Sequence, residues 1–319
     1  MEFVPYAFCE AVVAVFAEPS GPLSGLASPF WRRAIQREAS GRCNFGCAIG
    51  YTTLGAWALE IYKRVTRTVE EEATVEELCD PNRRNHRIVY VGIRHVIYPT
   101  IELSSFEEVK RLVTRIIPFV NMAEFRIRRI WGGWPTIPLE PILEIVSLLE
   151  FSSFSALTID DEPAIARFEE FAMAKMKTKW LRKLSVYQEP VRQGPTIPIS
   201  CALQSAIEKF ILEDAFRTIS VNWEAATFTK EFVVQLIDTH VKGTFKGFFN
   251  FPVEELNEFR KSIQVPARQG YRHNMEWNRE DGVQVRVEGR NHYSSTIHFK
   301  NNSALSACWK YGCCKAANW

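Results

Sequence analysis

Three short segments limit what this chain can become: Leu157-Thr158-Ile159, Leu184-Ser185-Val186 and Ile219-Ser220-Val221. Each places apolar, small polar and apolar residues in a row, and each lies between stretches of helical period. Alternation with period two marks a strand with one buried face. With Ile93, Phe125 and Phe245 as further equivalents, the unit recurs at spacings of 32, 32, 27, 35 and 26 residues. A recurrence of this size points to a solenoid or a wound α/β sheet. Every connection carries a helix, so the strands run parallel. No glycine-rich phosphate loop follows any strand. The strands read as half-buried, whereas strands of a doubly wound sheet are apolar on both faces. The expectation is therefore an α/β solenoid, with all helices on one side and an open strand face.

The elements around this array follow in order. Val4-Pro5 opens a short helix over 6–16, with Phe8 and Val12 on one face. Pro19, Gly21, Pro22 and Gly25 make a linker, and Ser28 caps a second helix that Gly41 ends. Residues 43–66 are apolar and aromatic, open between a strand plus helix and one interrupted helix. From Arg87 the pattern is regular, with strands near 90–97, 125–130, 156–160, 183–187, 217–222 and 244–249. Helices fall between and after them at 104–117, 139–149, 163–176, 199–212, 229–240 and 253–262. Beyond residue 270 the segments HNMEWNRE, VQVRVEG and STIHFKN alternate strictly, and Asp281-Gly282 separates the first two. This predicts a short antiparallel meander. The last stretch, 301–319, has no continuing period and is expected to fray.

Composition excludes some classes. Apolar residues make up 46% of the 319, enough for a substantial core. With 39 basic and 37 acidic residues, the net charge of +2 argues against a dedicated nucleic-acid binder. No apolar run approaches the ~18 residues of a membrane span. Glu2 and Glu10 argue against a secretory leader in AFCEAVVAVFA. The eight cysteines, mostly in predicted buried elements, fit an intracellular, cytoplasmic or nuclear protein.

The chain offers little for catalysis. GxSxG, HExxH, GxxxxGKS and GxGxxG are all absent. The six histidines, His86, His95, His240, His273, His292 and His298, have no acid or thiol at partner spacing. Cys43-x3-Cys47 and Cys308-x4-Cys313-Cys314 are read as buried or incidental thiols rather than halves of a zinc site. Asp160-Asp161-Glu162 is read as a solvated acidic loop rather than a cation site. Trp131-Gly132-Gly133-Trp134 is either a turn pinned by packing or an exposed aromatic contact. No metal or cofactor is expected.

Alternation along the strands turns a second set of residues outward. With Leu157 and Ile159 in the core, Thr158 and Asp160 point away from it. The same logic exposes Arg126 and Arg128, Ser185 and Tyr187, and Ser220 and Asn222. Stacked strands would align Arg128, Asp160, Tyr187 and Asn222 in one row. A row of this kind on an open face is either a protein-recognition surface or a merely solvated one.

The N-terminal stretch VPYAFCEAVVAVF, followed by SPFWRRAI, resembles an F-box. Such motifs open on an apolar-Pro pair and a short apolar helix and close on a Trp-Arg segment. Here these are Val4-Pro5, Phe8 to Phe16, and Trp31-Arg32-Arg33. The stretch between, EPSGPLSGLA, stands where these motifs are usually leucine-rich. Together with the array behind it, which is leucine-rich-repeat-like without the LxxLxLxxN register, the whole is similar to the expanded F-box proteins of nematodes. The resemblance implies an F-box-like segment over 1–40, a connecting segment over 41–86, a repeat array over 87–265, a capping meander over 266–300 and a tail. It implies a non-enzymatic adaptor that recognises a substrate for a cullin-type ubiquitin ligase. Pro5, Phe8, Val12 and Trp31 would dock a Skp-type subunit, and Arg128, Asp160, Tyr187 and Asn222 would hold an unknown protein substrate. The alternatives are a scaffold with a vestigial F-box and an enzyme of unrecognised type.

Overall fold

The computed structural model describes residues 8–9, 12–13, 29–41, 43–64, 70–80, 86–129, 135–160, 165–178, 180–187, 198–212, 218–221, 226–240, 242–256, 263–264, 273–289 and 294–301. These build a mixed α/β fold in two compact units that divide between Ala156 and Leu157.

The first unit opens with helical residues Phe8, Cys9, Val12 and Val13 and with helix α1, Pro29–Gly41. Strands β1 (Cys43–Tyr51) and β2 (Trp57–Arg64) follow as an antiparallel hairpin. This corrects both readings of residues 43–66. The segment CNFGCAIGY is buried from Phe45 to Gly50, so both faces of β1 are covered and its pattern carries no period. Short β3 (Glu70–Glu72) lies against β2, and the one-turn helix α2 (Val75–Leu78) is capped by Thr74. Strand β4 (His86–Ile93) then runs parallel to β1, and β5 (Ile101–Leu103) returns to β2.

Helix α3 (Phe106–Ile116) forms where its sequence predicts. Ser105 Oγ accepts from the Glu108 amide, while the Glu108 carboxylate accepts from both the amide and the hydroxyl of Ser104. Two otherwise orphaned amides are satisfied in this way. Val109, Val113 and Ile116 make its buried face. Strand β6 (Val120–Arg128) lies parallel to β4, and α4 (Leu139–Leu148) packs beside α3. Strand β7 (Ser153–Asp160) starts in this unit, where Phe154 stacks on Phe125 at 5.0 Å.

The second unit takes up the rest of β7 and continues through α5 (Ala166–Met176), β8 (Lys183–Tyr187), α6 (Cys201–Leu212) and β9 (Thr218–Val221). Short β10 (Thr227–Phe228), α7 (Lys230–Thr239) and β11 (Gly243–Phe249) complete the alternating part. Strands β8, β9 and β11 are parallel and adjacent in chain order, as the repeat requires. Helix α5 steadies α6 through Glu169, whose carboxylate accepts from the Ser200 amide at 2.8 Å. Predicted helix 253–262 begins as a 3-10 turn over Val253–Glu255, and 257–262 fall outside the described residues.

The meander is present as β13 (His273–Asn278), β14 (Val283–Gly289) and β15 (Ser294–Asn301), with short β12 (Ile263–Gln264) outermost. Gly282 turns the first hairpin at φ 83. Its last strand, β15, pairs antiparallel with β11, so the meander extends the sheet of the parallel strands. Leu184, Ile219, Phe245, Ile297, Val285 and Val287 line one buried face of this sheet. Full burial of side chains this size stabilises by about 1.5–3 kcal/mol each.

Candidate functional site

At the N-terminus, Cys9, Val13, Trp31 and Ala34 form a buried hydrophobic cluster, with Val12 and Ile35 packed against it. Helical spacing brings Val12 and Val13 round to α1. Phe8 meets the edge of Trp31 at 6.4 Å but stays 54% exposed, and Phe30 is 50% exposed. Three of the four residues named for adaptor docking are thus neighbours, and Pro5 lies outside the described residues.

The first unit's sheet has a polar face set by register. One row across it is Tyr62, Gly46, Tyr90, Glu124; the next is Glu60, Ala48, Gly92, Arg126. Arg128 lies two residues beyond Arg126 and is half-buried. Gly46 of β1 leaves room for the Tyr62 ring and Gly92 of β4 for the Tyr90 ring, and the two rings lie 6.5 Å apart. Arg94 reaches back to Glu60 Oε2 at 3.0 Å and also hydrogen-bonds Tyr90. Burial raises the Glu60 carboxyl and both phenols, and for Glu60 the Arg94 charge opposes the rise. Burial also pushes the Cys47 thiol up to about 12.

The second unit carries the more open face. Its first row reads Lys183, Thr218, Thr244, His298, Arg286, Glu276; its second reads Ser185, Ser220, Lys246, Thr296, Glu288. The alignment of Ser185 with Ser220 is the one expected from the repeat. His298 Nδ1 sits 3.3 Å from the Thr244 hydroxyl, and its Nε2 is 3.7 Å from Glu288. Glu288 is buried and also bound by Arg286 Nε at 2.8 Å.

Not every residue expected on the outer face is there. Thr158 and Asp160 are 8% and 6% exposed, because β7 is covered on both faces. Alternation distinguishes two faces but not whether the second meets water. Asn222, Trp131–Trp134, Asp161, Glu162, Cys308, Cys313, Cys314 and the rest of 302–319 lie outside the described residues, as does the side chain of Tyr187, while Asn301, the first residue of the expected tail, ends β15. Of the residues missed from sequence, Thr244 joins this face through the parallel β9–β11 pairing, while His298 and Arg286 reach it only through the β11–β15 pairing. That contact spans some fifty residues of chain, as in Thr244 to His298, |i−j| 54, and no local signal announces it.

Among the described residues, no group of three or more His, Cys, Asp or Glu is placed to hold a metal ion. No described helix is long and apolar enough to cross a membrane. No family model, curated protein or solved structure matches the chain.

Proposed function

We propose that this chain is a non-enzymatic protein-binding adaptor, the substrate-recognition subunit of a cullin-type ubiquitin ligase. The observation that carries the reading is the exposure of Phe8 beside buried Trp31. An aromatic left half in water on a small, separately packed helical pair is what a docking surface needs before its partner arrives. A vestigial segment would have its aromatic face folded away. Behind it, a leucine-rich-repeat-like solenoid is the finer reading of the strand and helix alternation, supported by the parallel run β8, β9, β11. The substrate lies on the polar strand face. Free, buried Cys9 and Cys47 support an intracellular setting.

The test is a pull-down of the tagged chain with purified Skp-type subunit and cullin. Wild type captures both. Phe8→Ala abolishes capture and leaves the chain folded, since the side chain is half in water. Trp31→Ala abolishes capture and also loosens the N-terminal cluster. Undiminished capture by both variants removes the F-box reading. Failure of wild type to capture either subunit leaves a scaffold with no ligase role.

A further inference from the structure

We draw no further inference here: the strongest candidate, the exposed apolar surface of the first unit that Leu54 in the β1–β2 turn and Ile97 and Tyr98 after β4 present beside the Tyr51–Trp57–Phe106 ladder of rings, is unpartnered, and nothing in the structure shows what covers it.

Discussion

Arg279, in the turn between β13 and β14, donates from Nη1 to the main-chain oxygen of His240, 2.6 Å away at the end of α7. The same nitrogen donates to the oxygen of Ile237 at 2.8 Å, and Asp281 pairs with the guanidinium from the turn itself. The last carbonyls of a helix have no partner of their own, and a cation there also suits the helix dipole. The His240 ring meets Phe299 of β15 edge-on at 5.0 Å. One residue of the meander thus ties the last long helix to the antiparallel strands.

Arg279→Ala should cost about 2–3 kcal/mol, since two carbonyls lose a charged donor in a half-buried place. Arg279→Lys should recover part of this, because an ammonium can reach one carbonyl but cannot bridge both and Asp281. Chemical denaturation measures the total. Hydrogen exchange should locate the loss in 230–240 and in the hairpin. Unchanged protection there would mean that the contact is incidental.

The parts of the fold written in local pattern were legible. Strict alternation in VQVRVEG and STIHFKN, with Asp281-Gly282 before them, specifies the meander, and Ser104, Ser105 and Glu108 specify the start of α3. Where both faces of a strand are covered, pattern fails. The run CNFGCAIGY does not separate strand from helix, and in β7 Thr158 and Asp160 look outward yet are buried. For the site, Ser185 and Ser220 were found because their strands are consecutive. Tyr62, Tyr90 and Arg94 were missed because their meeting depends on the hairpin that the apolar run concealed.

His95 gives the first unit a dependence on pH. It is fully buried, and its Nε2 hydrogen-bonds the Pro135 oxygen at 2.7 Å. Burial is the main cause that holds its pKa below the ordinary 6.5, and the nearby Arg128 charge acts the same way. The unfolded chain therefore takes up a proton that the folded chain resists. The contribution is fully present above 6.5 and is lost as pH falls through that value toward the lowered folded one. Between about pH 7.5 and about pH 5.5, wild type should lose more stability than His95→Gln, which has nothing to protonate there. Equal losses in denaturation at the two pH values would show that His95 does not set this slope.

Two glycines of β1 stand against very different neighbours, and the difference predicts which can be replaced. A Cβ on Gly50 would lie 1.8 Å from the main-chain oxygen of Arg94. The chain at Arg94 is fixed by its own amide, which donates to the Ile49 oxygen at 3.0 Å, and by the Val96 amide on the Tyr51 oxygen at 2.9 Å. Neither chain can move without breaking those bonds, so Gly50→Ala should cost about 3 kcal/mol or more in any background. A Cβ on Gly46 would lie 2.1 Å from the Tyr62 ring, a side chain rather than backbone. Gly46→Ala should therefore cost about 2 kcal/mol in wild type and close to nothing once Tyr62→Ala has cleared the space. Alanine also suits a strand better than glycine, which works in the same direction. A double-mutant cycle by chemical denaturation gives the coupling. If Gly46→Ala costs the same with and without Tyr62, the ring is not what reserves the position for glycine.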